Sequence, residues 1–242
     1  MLPPSPPVHC HRCGLSDEDL NRRWSRPDQT LHPVIYNAKG LIEYCCRVLH
    51  RIPYFYCDLH GHSRRKNVFF YGCSQAGSWN AADRTVPEDP TEFLLLPHIL
   101  QQTAPAFSLN HCNFRVERGR ESTARVALWR QLGITRSYTL ESSYCGCDQG
   151  PYQGYHLGTY QLHEMGRNLC EALRTLYEDG WKLKLVLACS SPQTFANEQP
   201  NRVVGGIAGL GGVRTYEEEA VLTNPSDDSD YEEEYHAMNE CH

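Results

Sequence analysis

Residues Tyr54 to Tyr71 read YFYCDLHGHSRRKNVFFY, two aromatic runs around a polar turn that holds Asp58, His60, His62, Ser63, Arg64, Arg65 and Lys66. Aromatic runs of this kind suit strands buried in a sheet, and a strand ending in Asp-x-His delivers a side chain to the sheet rim. Open α/β sheets place their chemistry at that strand end. His60 is therefore the leading candidate for a metal ligand. The rest of the chain must supply its partners.

The pattern on either side is an alternation of strands and helices. A helix opens at Pro33, with Val34, Ile35, Ala38, Leu41, Ile42, Cys45, Val48 and Leu49 at the spacing of one buried face. A strand over 53–59 follows, then the His60 turn and a strand over 68–72. Residues 74–91 are polar and proline-bearing, as in a surface loop. A helix is expected over 92–102, kinked at Pro97, then a strand over 113–117. ESTARVALWRQLG predicts a helix from about Glu121 to Leu132, stopped by Gly133. Residues 134–140 form a strand that ends at Glu141, repeating the design of a strand with a polar residue at its carboxyl end. A helix over 159–177 shows Leu162, Met165, Leu169 and Leu173 on one face, and 181–189 could form a last strand. This alternation predicts an α/β fold with helices layered on both faces of the sheet.

With 242 residues, 40% of them hydrophobic, the chain can bury one sizeable core. It holds no apolar run of about 18 residues and no secretory signal, so no membrane partner is expected; no nucleic-acid partner is expected either. Several of its twelve cysteines fall in apolar elements, which suits reduced thiols. Charge is divided. The net value is −6, yet ten acidic residues and no Lys or Arg follow Arg214. Removing those ten from 29 acids leaves 19 against 23 basic residues, so the first 215 residues carry about +4. A basic body suits acidic partners, and the acidic end has the composition of a disordered tail. The boundaries expected are a proline-rich leader over 1–8, a catalytic region over 9–180 and a glycine-rich, acidic tail over 181–242. GGIAGLGG at 205–212 lacks the Gly-Lys-Ser/Thr ending of a phosphate loop, so no nucleotide site is expected. Cys10-x-x-Cys13 and Cys145-x-Cys147 have the spacing of a four-cysteine zinc site, a pattern that a cysteine-rich chain also produces by chance.

Three strand-end or loop groups stand out, namely Asn21-Arg22, His60 and Glu141. A metal-activated water needs ligands, a carboxylate base and a cation for the developing oxyanion. DLNRRW, CDLHGHSRRKNVFFYGC, APAF, RESTARVALWRQLGITRSYTLESSYCGCDQG and LHEMG resemble the cytosolic carboxypeptidases, zinc metallocarboxypeptidases of the M14 type that shorten polyglutamate chains on tubulin. The resemblance covers roughly residues 9 to 177. It implies a three-layer α/β/α domain with a mixed sheet, present here in its carboxyl-terminal part.

The resemblance also implies roles. His60 in DLHGHS corresponds to a zinc histidine, and Glu141 in SYTLESSYCG to the glutamate that activates the zinc-bound water. Asn21 and Arg22 in DLNRRW correspond to the pair gripping the substrate's terminal carboxylate. Arg12 corresponds more loosely to an arginine that polarises the scissile carbonyl. Arg125 in ESTARV corresponds to a basic residue of the specificity pocket, and a pocket for glutamate must offset two carboxylates. The implied substrates are glutamate-rich protein tails, tubulin included, in the cytosol. One motif departs from the family. Its first two zinc ligands come from H-x-x-E, and none of the twelve histidines here is followed three residues later by Glu. Hence the expectation that this chain alone holds no stoichiometric zinc, and the alternative that it only binds acidic tails.

Overall fold

The computed structural model describes residues 18–189. The chain divides into two units, Met1–Lys184 and Leu185–His242, and the packing described below lies within the first. Seven regular elements follow in order: α1 (Pro33–Arg47), β1 (Tyr56–His62), β2 (Val68–Tyr71), α2 (Thr91–Thr103), α3 (Ala124–Leu132), β3 (Ser137–Ser143) and α4 (Thr159–Cys189). The strands make one mixed sheet of order β1-β3-β2, in which β1 runs parallel and β2 antiparallel to β3.

Strand alternation sends each residue set to its own layer. Phe70, Tyr138 and Leu140 share one face. There Tyr138 stacks on Phe70 with ring centroids 4.7 Å apart and donates its hydroxyl to the Phe93 carbonyl of α2 at 2.9 Å. Burial pushes the Tyr138 phenol far up, so this hydroxyl remains a donor. α4 adds Met165, Ala172 and Leu176 to the buried set, spaced as one helical stripe. The other face receives α1 and α3. Ile35, Ala38, Ile42 and Cys46 of α1 pack with Trp24, with Ala124, Ala127, Leu128 and Leu132 of α3, and with Tyr56 at the start of β1. The result is helix, sheet, helix: three layers, as the alternation predicts.

α3 stops where the sequence says it should. Gly133 adopts φ 70°, and its N–H closes on the Trp129 carbonyl at 3.1 Å. Other expectations shift. The first strand runs through His62 rather than ending at 59, so His60 lies inside a strand and His62 shares its face. The third strand likewise runs past Glu141 to Ser143. Residues 113–117 make only isolated bridges, Asn113 to Tyr71 and Val116 to Ser78. The side chain of Asn113 takes the N–H of Arg115 at 2.9 Å, a local turn bond that competes with a ladder. Residues 181–189 continue α4 instead of starting a strand. Gly180 costs a helix only about 1 kcal/mol, so it does not stop α4. The first-turn contacts of α2 also reach this segment, since Glu92 pairs with both Arg136 and Lys184.

Candidate active site

The parallel register of β1 and β3 sets His60 opposite Glu141. Paired positions share a pleat, so both side chains leave the same face. His60 Nδ1 lies 3.8 Å from Glu141 Oε1, and its Nε2 lies 2.9 Å from Oδ2 of Asp58, two residues back on that face. A ligating imidazole usually hands its second ring nitrogen to a carboxylate, which fixes the ring's orientation. Asp58 stands in that position and leaves Nδ1 directed toward Glu141. An open cavity of about 350 Å³ at the carboxyl ends of these strands is lined by His60, Ser142, Ser143, Tyr144 and His156.

Asn21 comes to the same place from a short 3₁₀ turn, Leu20–Arg22. Its Nδ2 donates to Asp58 Oδ2 at 3.2 Å, and its Oδ1 accepts the N–H of Ala124, the first residue of α3, at 2.9 Å. Arg22 lies beside it, 3.7 Å from Asp19, with Nη1 donating to the Asn21 carbonyl at 3.2 Å. Arg125 follows a different course. It is 6% exposed, and its Nη1 donates to the Gly72 carbonyl and, at 3.3 Å, to Cys73 Sγ. Asp58 thus joins His60 to Asn21, with Glu141 beside the other ring nitrogen of His60, while Arg125 reaches behind the end of β2. Arg12 lies outside the described residues, as do Cys10, Cys13 and the 205–212 glycines. Of the second cysteine pair, Cys145 is exposed with Sγ 2.7 Å from the Ser63 carbonyl, and Cys147 is buried.

Sequence reasoning gave no role to Asp58, Tyr71 or Tyr144. Asp58 was signalled by its two-residue spacing from His60, once the strand is extended to His62. Tyr71 sits two residues along β2 from Phe69, the partner of Glu141. Burial pushes its phenol up, Arg65 opposes this, and Glu141 reinforces it. Tyr144 lays its ring over Gly61, where no β-carbon would fit beside it.

Over 171 residues, 69% of this chain, the sequence is 54% identical to cytosolic carboxypeptidase 1 of Gallus gallus. The chain is a homologue of the cytosolic carboxypeptidases. Identity to cytosolic carboxypeptidase 4 of Mus musculus is 52% over 170 residues, again 69% of this chain. The chain spans only 14% and 15% of the length of these two relatives. No protein-family model matches. A metallo-carboxypeptidase from Pseudomonas aeruginosa, solved with (2-guanidinoethylmercapto)succinic acid, superposes with a TM-score of 0.53 at 18% identity, over 69% of this chain and 41% of that one. At that identity the likeness speaks for the fold: the small mixed sheet with its helices is part of a metallocarboxypeptidase fold.

A metallocarboxypeptidase homologue implies a metal, and the donor set can be tested against one. Asp58 and His60 have the arrangement of one ligand with its orienting carboxylate. A catalytic zinc takes three protein ligands and a water. No group of three His, Cys, Asp or Glu side chains able to hold a metal occurs among the described residues. His62, although on the right face, turns its Nδ1 to the N–H groups of Arg64 and Arg65 at 3.1 and 3.0 Å. The described residues fit one corner of a metal site and do not complete it.

Proposed function

We propose that this chain is part of a carboxypeptidase site for glutamate-rich protein tails, with Glu141 as general base and His60 as one metal ligand. The observation that supports it is the in-register pairing of His60 with Glu141 at the carboxyl end of β1 and β3, beside the 350 Å³ cavity. A base must lie within reach of the water it activates, and a carboxylate beside a ligand's coordinating nitrogen is so placed. The expected substrates are C-terminal or side-chain glutamates of proteins such as tubulin, and the expected compartment is the cytosol. Asn21 and Arg22 are assigned to substrate binding and Arg12 to polarising the scissile carbonyl; Arg125, assigned to the same pocket, would have to leave the Gly72 carbonyl and Cys73 Sγ to reach a substrate. Zinc is the expected metal, with a ligand set that the described residues leave incomplete. The chain alone is therefore expected to be inactive.

The test is release of glutamate from a polyglutamate-ended peptide by the purified chain supplied with zinc. The reading expects none above the blank. Steady release that falls about 10²-fold or more in Glu141→Gln would show a complete enzyme and overturn the incomplete-site part of the proposal. Release unaffected by Glu141→Gln would remove Glu141 from its role.

A second reading, binding of acidic tails without turnover, draws on a cluster of cations. Arg64, Arg65 and Lys66 leave β1 directly beyond His62, and Arg65 and Arg120 both act on Tyr71, the tyrosine that also feels Glu141. Binding of the same peptide that weakens steeply with salt supports this reading, because exposed charges are screened over about 10 Å at 0.1 M salt.

A further inference from the structure

β2 runs antiparallel to β3, with Phe69 opposite Glu141 and Tyr71 opposite Thr139. On the other side, β1 sets His60 opposite Glu141 and Asp58 opposite Thr139. Alternate residues of a strand share a face. His60, Glu141 and Phe69 therefore form one row, and Asp58, Thr139 and Tyr71 form the next. Tyr71 is a diagonal neighbour of Glu141, a separation of about 7–8 Å that an aromatic side chain can span. Its ring stands edge-on to Phe69 with centroids 5.5 Å apart, and Phe69 is fully buried. Among the described residues the Tyr71 hydroxyl makes no hydrogen bond.

A cation acts on this hydroxyl from a neighbouring turn. Residues Arg118–Arg120 form a short 3₁₀ turn, and the Arg120 carbonyl accepts the N–H of Thr123 at 3.1 Å and its hydroxyl at 2.8 Å. Two more bonds tie this stretch to the segment that carries Asn21 and Arg22. Trp24 donates its N–H to the Ser122 carbonyl at 3.0 Å, and Ala124 donates its own to Asn21 Oδ1 at 2.9 Å. The Arg120 charge is felt at the Tyr71 phenol, together with those of Arg65, Glu141 and Glu117.

The other arginines nearby are committed. Arg65 donates to the His111 carbonyl at 3.3 Å, Arg118 lies over the Trp79 ring at 5.3 Å, and Arg125 is bound to the Gly72 carbonyl and Cys73 Sγ. Arg120 is half-buried, and among the described residues it forms no ion pair and no side-chain hydrogen bond. A guanidinium withdrawn from water without a partner is costly, and its planar fork fits a carboxylate.

We propose that Arg120 and Tyr71 read the side-chain carboxylate of the departing residue, and so make the pocket beside Glu141 selective for an acidic terminal residue. This role rests on the carboxypeptidase reading of Glu141, because a bond cleaved beside Glu141 leaves the departing side chain within reach of its diagonal neighbour. Arg120 supplies the charge-assisted fork and the Tyr71 hydroxyl a further donor to the same carboxylate. Arg125 then keeps its bonds at the end of β2.

The test is binding, and it needs neither turnover nor metal. An alanine peptide ending in glutamate and its twin ending in glutamine are titrated calorimetrically into the purified chain. The expected preference for the glutamate end is about ten-fold or more. Arg120→Gln should abolish it and Tyr71→Phe should reduce it. Arg118→Gln, which removes the same charge two residues away, should leave it intact. A preference that survives Arg120→Gln or Tyr71→Phe undiminished, or that falls equally in Arg118→Gln, overturns the assignment of this pair and leaves a glutamate-directed site standing. No preference in the parent chain, or no binding of either peptide, overturns the glutamate-directed reading as well.

Discussion

Replacing Asn21 by alanine separates a structural role from a substrate-gripping one. In the fold this amide joins two elements: it caps the first N–H of α3 and donates to the Asp58 carboxylate that orients His60. Loss of a helix N-terminal cap costs about 0.5–2 kcal/mol. Loss of a hydrogen bond to a charged group costs about 1.5–3 kcal/mol, and the low end applies because Asp58 is only partly buried. Together the variant should lose about 2–3 kcal/mol. For a unit of this size each kcal/mol moves the melting temperature by about 2–4 °C, so a drop of about 5–10 °C is expected. Thermal unfolding followed by far-ultraviolet circular dichroism reads it directly. Asn21→Asp is the informative companion, because it keeps the acceptor for Ala124 and sets a second carboxylate against Asp58. If Asn21→Ala melts within about 1 °C of the parent, the amide holds nothing together and the link drawn between α3 and the His60 strand is wrong.

Three further outcomes are expected. Gly146 sits at φ 86°, where an added β-carbon would land on the Tyr155 carbonyl oxygen. Gly146→Ala should therefore lower the denaturation free energy by about 2 kcal/mol or more, and an unchanged urea midpoint would contradict this. Burial pushes the Cys57 thiol up to about 12, so it stays protonated at pH 8 and should resist iodoacetamide while the exposed Cys145 is labelled. Equal labelling rates by mass spectrometry would refute that. On the acid side, a hydrogen bond with His32 holds Glu18 below its ordinary value, and the N–H groups of Leu31 and Thr30 do the same for Asp28. Folded values below unfolded ones mean stabilisation that is full above the ordinary carboxylate range of about pH 4 and lost as pH falls through the depressed values. Glu18→Gln with Asp28→Asn should flatten the loss of stability below about pH 4, and an unaltered acid limb would show that other groups set it.

Much of this was legible in the chain because the signals were local. Pro33 and Gly133 mark helix ends by their own backbone preferences, and the aromatic run at 68–71 is a strand as expected, whereas of Tyr54–Tyr56 only Tyr56 enters one. The site pairing was legible in part. His60 and Glu141 each stood out at a strand end, but the residue-to-residue register that puts one opposite the other is a long-range property. Strand ends were the weak point, since Gly61 looked like a turn and instead continues β1 with Tyr144 covering it. The direction of Arg125 was not legible at all. Its spacing in the helix fits several outcomes, and only the packed position of Gly72 and Cys73 decides where the guanidinium ends. The alternating Lys and Leu of 182–185 imitated a strand, but among the described residues nothing pairs with it, and the helix already under way at Leu176 carries on.

The most direct test is elemental analysis of the chain after chelation, re-exposure to zinc and desalting, with His60→Ala beside it. The account predicts far less than one zinc per chain, and no difference between parent and variant, because one imidazole with its carboxylate does not make a three-ligand site. Close to one zinc per chain, lost in His60→Ala, would mean that this chain completes the site by itself, and would contradict the reading of an incomplete one.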